Sequence, residues 1–363
     1  MTIAEHKHTR DELRQLQALP LDIKIKMTQR RIRDWYTYWG GAVYVSFSGG
    51  KDSTVLAYIC ARLCKLMNIP LYLVFVNTGL EYPEIQKHVK FFAQWLRDKY
   101  EIEVNLEILR PKMRFDEVIK KYGYPIISKS VSECVRGAKL GQQSRINLLN
   151  GKDCDGSDRK SKFSNEKYKP LLDVDFEISA LCCDVMKKNP SHEYSKKTGR
   201  HPIIATMTDE SMLREKNWLK NGCNVFNAKY PSSQPMSFWT EQDVLQYIKE
   251  EQIPIASVYG GIEYSENNDQ MSLDDFGFDC GRKLCTTGCS RTGCIFCAFG
   301  AHLEKGESRF ERLKQTHPRQ YEYCIGGGEY DENGKWVPSK QGLGLGHVFD
   351  ELNKIYGEGF IKY

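Results

Sequence analysis

The segment from Ala42 to Ser53 constrains this chain more than any other. Ala42-Val43-Tyr44-Val45-Ser46-Phe47 is a short β-prone run that ends in Ser48-Gly49-Gly50-Lys51-Asp52-Ser53. A helical pattern follows, with Val55, Leu56, Ile59, Cys60 and Leu63 on one face. Two adjacent glycines let the backbone turn sharply and approach a ligand closely, because neither carries a Cβ. Amides at the start of the helix point outward, and the helix dipole adds positive potential there. Ser48 and Ser53 can donate hydroxyl hydrogen bonds, and Lys51 brings a mobile positive charge. Asp52 offers carboxylate oxygens to Mg²⁺, a hard cation that takes oxygen ligands. The spacing is not that of the Walker loop, which needs Gly-x4-Gly-Lys-Ser/Thr. Lys51 and Asp52 are the candidate catalytic residues; Ser46, Ser48, Gly49, Gly50 and Ser53 are the candidate phosphate cradle.

Beyond this segment the pattern keeps alternating. Leu71-Tyr72-Leu73-Val74-Phe75-Val76 reads as a strand covered on both faces, residues 84–99 as a helix and 102–108 as a strand. A strand at 203–206 and a helix at 240–251, opened by Thr240 with Glu241 and Asp243 in its first turn, continue the order. The fold class predicted is α/β, a doubly wound and mostly parallel sheet with an irregular cysteine-rich C-terminal region. Three segments are expected: an N-terminal helical stretch at 1–40, a nucleotide-binding domain at 41–255 with a polar loop insertion at about 150–169, and a cysteine-rich region at 256–363. The chain has no run of about 18 apolar residues and no signal-peptide pattern, so a cytoplasmic, non-membrane protein is expected. A net charge of +5 on 363 residues is too mild to choose a partner.

The glycine loop resembles that of the PP-loop superfamily, which includes ATP pyrophosphatases and the phosphoadenosine phosphosulfate (PAPS) reductase family. Two more blocks carry the resemblance. Asn77-Thr78-Gly79-Leu80-Glu81-Tyr82-Pro83-Glu84 is similar to that family's Asp-Thr-Gly…Phe-Pro-Glu element, with Asn77 in place of the usual Asp. Trp239 through Asp243-Val244, Tyr247-Ile248 and Ile253-Pro254 to Tyr259 is similar to a third block, in which Trp239, Val244 and Ile248 read as core. Asp209-Glu210-Ser211 with Arg214 resembles a stretch that contacts the nucleotide. The resemblance implies that Thr78, Gly79, Glu81 and Arg214 join the loop in holding ATP or a sulfonucleotide.

Thirteen cysteines, unevenly spread, favour metal or redox chemistry over structural disulfides. Cys182-Cys183 is one group; Cys280, Cys285, Cys289, Cys294 and Cys297 form another. Cys-x-x-Cys at 294–297 lets two thiolates converge but needs further ligands. The pattern resembles the iron–sulfur sulfonucleotide reductases, which implies Cys182, Cys183, Cys294 and Cys297 as ligands of a [4Fe–4S] cluster and Lys187 as a nucleotide-facing base. Zinc on Cys285, Cys289, Cys294 and Cys297 is the alternative. Cys60, Cys64 and Cys223 read as buried small hydrophobes.

The reductase branch of the family uses a thiol in a Glu-Cys-Gly-Leu-His motif near the C-terminus. Here the tail Gly342-Leu343-Gly344-Leu345-Gly346-His347 has none, and Cys324 is the only late cysteine. Ser-Gly-Gly-Lys-Asp-Ser is the form found in members that cleave ATP between its α- and β-phosphates. The resemblance therefore implies adenylyl transfer linked to sulfur transfer or nucleic-acid modification. The acceptor is unknown, with nucleic acid or a sulfur-donor protein as the partner classes, and Lys129 and Arg136 as weaker candidates for holding it. Sulfonucleotide reduction and nucleotide sensing without turnover are the alternatives.

Overall fold

The computed structural model describes residues 7–158, 164–265 and 283–363. It divides into two compact units, neither of which is a single stretch of chain: Met1–Asn77, Glu81–Leu109 and Ser191–Gly293 form one, and Thr78–Leu80, Arg110–Pro190 and Cys294–Tyr363 the other.

The first unit opens with helices α1 (Arg10–Gln17) and α2 (Leu21–Tyr38), separated by Pro20, which cannot donate to a continuing helix. Strand β1 (Val43–Ser46) follows, then α3 (Lys51–Met67), β2 (Leu71–Val76), α4 (Pro83–Tyr100) and β3 (Val104–Leu109). These are two β-α-β steps joining parallel strands, with a helix packed on the sheet in each. The six-stranded sheet runs β3, β2, β1, His201–Ile204, Ser232–Ser233 and Asn224–Val225, all parallel except the last pair. The order reverses beside β1: successive strands build outward on one side as far as β3, and the chain later returns to β1's other edge. Open α/β sheets bind ligands at the carboxyl ends of strands at such a reversal, and the glycine loop leaves β1 there.

Helix α3 is apolar nearly all round, which suits its position: Val55, Leu56, Ile59, Cys60 and Cys64 have no exposed surface. Trp35, Phe47, Phe92, Phe238 and Trp239 fill the same core. A buried ion pair ties α2 to helix Glu241–Glu251, with Lys24 Nζ 2.7 Å from Asp243 Oδ2. The ammonium's second partner is the Gln17 carbonyl at 2.6 Å, so neither charge is left unsatisfied.

The strand expected at 203–206 lies two residues earlier, at His201–Ile204, in register Val43↔His201 to Ser46↔Ile204. Pro202 hid it. The His201 amide donates to Ala42 O of the β1 side, so by strand alternation the proline's missing donor faces the other edge. There the neighbouring strand pairs only at Ile203↔Ser233, and the missing bond costs little.

The second unit is mostly helical, with paired short strands. Ile126–Ile127 lies parallel to Ala298–Phe299, and Glu329–Tyr330 antiparallel to Trp336–Val337. Residues 151–158 form turns closed by a Lys152↔Asp158 bridge, and a 3₁₀ helix, Glu166–Leu172, begins within the stretch read as a loop. Among the described residues no helix is long and apolar enough to cross a membrane.

Candidate functional site

The glycine loop turns where the sequence requires it. Gly49 has φ +75°, a conformation that side chains rarely adopt. A Cβ there would also lie 2.8 Å from both Ile85 Cγ2 and Val89 Cγ2 of α4. Gly50 caps α3 without a side-chain bond. Ser53 Oγ bonds Gly50 O at 2.9 Å and Ser48 Oγ at 3.0 Å, bracing the turn from within. Ser48 is exposed, whereas Lys51 and Ser53 are buried. Ser46 ends β1.

Lys51 and Asp52 sit in an unusual environment. The Lys51 side chain is 5% exposed, and its ammonium lies 2.9 Å from Glu241 Oε1 and donates to the Ser290 carbonyl at 2.7 Å. Its backbone N–H donates to the Tyr259 hydroxyl at 3.1 Å, which in turn is 2.6 Å from Thr292 Oγ1. Asp52 Oδ1 is buried with no hydrogen-bond partner among the described residues. Burial pushes the Asp52 carboxyl above its ordinary range; the Lys51 ammonium opposes this, Glu241 adds to it, and Arg291 and Arg214 oppose it. Arg214, on the helix Met212–Asn221 that Ser211 caps, pairs with Glu210 of the preceding 3₁₀ turn.

The buried Asp52 oxygen lacks a hydrogen-bond donor, and the cationic groups near it work against the effect of burial. The structure thus gathers Lys51, Asp52 and Arg214 within mutual electrostatic reach. It adds four residues not assigned to this loop from sequence: Glu241, Tyr259, Ser290 and Thr292. Glu241 reads in the sequence only as a helix-start acid, and Tyr259 as the end of a packing block. Trp239, Val244 and Ile248 of that block are buried, as core residues should be. Glu81 is buried in the first unit, whereas Thr78 and Gly79 belong to the second, where Thr78 Oγ1 accepts the Leu80 amide at 3.2 Å.

In the second unit, Cys182, Cys183, Cys294 and Cys297 line one cavity with Lys187, walled by Leu80, Phe115, Pro125 and Met186. The backbone explains how each pair is presented. After Cys183 the helix widens into a π-turn over Asp184–Lys188, a rare form found mostly at functional sites. The Cys297 amide bonds the Cys294 carbonyl at 3.0 Å, folding the Cys-x-x-Cys into a tight turn. Strand Ala298–Phe299 then pairs with Ile126–Ile127.

Cys182 hydrogen-bonds Cys183; this holds the Cys183 thiol well below its usual range, against the effect of burial and with help from Lys129 and Lys187. The same bond, then burial, raises Cys182. Burial, then Cys294, pushes Cys297 up to about 11. Among the described residues no group of three or more His, Cys, Asp or Glu side chains is arranged around a single ion.

Four thiols share one apolar-walled cavity, and Lys129 and Lys187 lower the Cys183 thiol. Cys285 is exposed and Cys289 buried, and neither lines the cavity; Cys280 lies outside the described residues. Cys60, Cys64 and Cys223 are buried, as expected.

A family model described as "Phosphoadenosine phosphosulfate reductase domain" matches residues 42–298. No curated protein matches the sequence. Among solved structures, the NMN synthetase from Francisella tularensis aligns with a TM-score of 0.31 at 11% identity, covering 83% of this chain and 94% of that one.

Proposed function

The chain belongs to the phosphoadenosine phosphosulfate reductase family, and on that premise we propose that it is an enzyme that binds ATP at the glycine loop and cleaves it between the α- and β-phosphates. The observation that carries this reading is the buried Lys51 ammonium next to the unpartnered Asp52 oxygen at the start of α3. Ser46, Ser48, Gly49, Gly50 and Ser53 would cradle phosphate oxygens, and Asp52 would hold Mg²⁺. Lys51 and Arg214 would neutralise charge on the polyphosphate, with Glu81 as a further nucleotide contact. The acceptor's nucleophile attacks the α-phosphorus, and the bond to the α–β bridging oxygen breaks. Pyrophosphate leaves with the electron pair, and the acceptor's proton passes to solvent.

Cys182, Cys183, Cys294 and Cys297 would hold a [4Fe–4S] cluster, beside Lys187. Such a cluster, when bound, supplies one-electron chemistry or an iron site for sulfur. This favours an acceptor modified by sulfur, of nucleic-acid or protein class. Sulfonucleotide reduction is less well supported, because it needs a reactive thiol late in the chain. Cys324 has no exposed surface, and burial holds its thiol well above the usual range.

The test is pyrophosphate release. With water standing in for the acceptor, the anaerobically purified protein should release pyrophosphate from ATP and Mg²⁺, and Asp52→Asn should lower that rate at least about a hundredfold. Sulfite released from a sulfated nucleotide, with ATP left intact, would replace this reading with the reductase.

A further inference from the structure

Ser290, Arg291 and Thr292 follow one another, and the outer two are fastened to the glycine loop. The Ser290 carbonyl accepts from Lys51 Nζ at 2.7 Å. Thr292 Oγ1 lies 2.6 Å from the Tyr259 hydroxyl, which accepts the Lys51 amide at 3.1 Å. A Cβ built on Gly50 would stand 3.6 Å from the same Thr292 oxygen. With both neighbours held, the Cα of Arg291 is fixed about 3.8 Å from each of theirs, at the rim of the loop. Its side chain is uncommitted: it is exposed and makes no hydrogen bond or ion pair among the described residues.

The guanidinium nevertheless acts on the site. It opposes the upward push of burial on the Asp52 carboxyl, and it adds to burial in lowering the Arg214 pKa. Three cations thus converge on Asp52, and two of them already have a second carboxylate: Lys51 pairs with Glu241, and Arg214 with Glu210. Arg291 has no such partner, so an anion that satisfies it must come with the ligand.

We propose that Arg291 is a further catalytic residue, whose guanidinium binds phosphoryl oxygens of the nucleotide and stabilises the charge that the leaving pyrophosphate gains. The proposal rests on the reading of the loop as a site of ATP cleavage between the α- and β-phosphates. Lys51 has three N–H donors and uses two, on Glu241 and Ser290. One remains for a phosphate oxygen, so the segment stays fastened when the nucleotide binds. As the acceptor, or water in its place, attacks the α-phosphorus, the bond to the α–β bridging oxygen breaks and that oxygen keeps the electron pair. The attacking group's proton passes to solvent. Negative charge therefore grows on the leaving group in the transition state, and a mobile guanidinium with parallel N–H donors can follow it. Lys51 and Arg214, each on a helix and paired with a glutamate, hold charge that is present from the start.

Pyrophosphate release from ATP and Mg²⁺ by the anaerobically purified full-length protein, with water as the acceptor, tests this. Arg291→Ala should lower kcat about a hundredfold and change KM by no more than about threefold. Arg291→Lys should keep part of the rate. Guanidinium ion added to Arg291→Ala should restore at least about tenfold, because the position is open to solvent. Equal kcat values in the wild type and Arg291→Ala overturn the proposal. So does a loss that neither lysine nor guanidinium repairs, which would make residue 291 part of the fastening. A loss that vanishes at pH about 9 also overturns it, since Arg291 would then act only by keeping Asp52 ionised. A wild type that releases no pyrophosphate removes the cleavage reading, and this inference with it.

Discussion

Gly49 carries two requirements at once: its φ of +75° and the 2.8 Å approach that any Cβ would make to Ile85 and Val89. Ala at this position has to resolve both a strained backbone and two clashes with branched side chains of α4. Gly49→Ala should therefore cost roughly 2–4 kcal/mol in urea unfolding and abolish nucleotide binding, since the turn that aims the amides cannot form. Gly50→Ala is the control. Its φ is not in the left-handed region, and its nearest contact, the Tyr259 hydroxyl, is 3.3 Å away. That variant should stay close to wild-type stability. Equal losses in the two variants would mean that the turn does not depend on Gly49's conformation. That the turn needs glycine is legible in the sequence, because two glycines between a strand and a helix have few other uses; which of the two is required is not. Lys51's contacts with Glu241 and Ser290 are not legible, since they join residues 190 and 239 positions away through the fold rather than through any local pattern.

At the scale of elements, α3 and α4 meet through a polar contact inside an apolar layer. His88 Nε2 lies 3.1 Å from Thr54 Oγ1, and the ring packs on Phe92. Burial lowers the His88 pKa from 6.5 to about 4. The folded state thus binds fewer protons than the unfolded state between those two values. Stability contributed by the neutral ring is complete above pH 6.5 and is lost as pH falls toward 4. Compared with His88→Gln, which keeps a polar partner for Thr54 but does not titrate, the wild type should lose about 2 kcal/mol between pH about 7.5 and about 5. Urea unfolding at the two pH values measures this, and parallel losses in both proteins would remove His88 from the account. Helix boundaries set by caps were legible: Thr240 Oγ1 accepts the Asp243 amide at 3.3 Å, as its position before the acidic turn implies. The strand at His201–Ile204 was less so, because a proline reads against a strand until its neighbours are known. The π-turn after Cys183 has no sequence signal, since it arises from how the chain packs and not from residue propensity.

For the molecule as a whole, sequence order is a poor guide to compactness, because the second unit draws on residues 78–80, 110–190 and 294–363. The glycine-rich tail is explained by one side chain that lies between its glycines, Trp336. A Cβ on Gly328 would lie 2.2 Å from the Trp336 ring and one on Gly344 2.7 Å from its Nε1, which donates to the Gly344 carbonyl at 2.9 Å. Those glycines make room for an indole, and no thiol is needed there. Each unit carries one candidate site: the phosphate loop in the first, the four-cysteine cavity in the second. Ligands stabilise the residues whose folded arrangement they require, so each should protect its own surroundings. Hydrogen exchange on the anaerobically purified protein should give ATP-dependent slowing centred on residues 46–54, up to about a hundredfold at saturating nucleotide. Removing iron with a chelator should speed exchange at 182–188 and 294–299, and Cys183→Ser and Cys297→Ser should each abolish iron and acid-labile sulfide in equal measure. Zinc without sulfide, or iron retained in both variants, would take the cluster away from these cysteines and leave the cavity as apolar packing with reactive thiols.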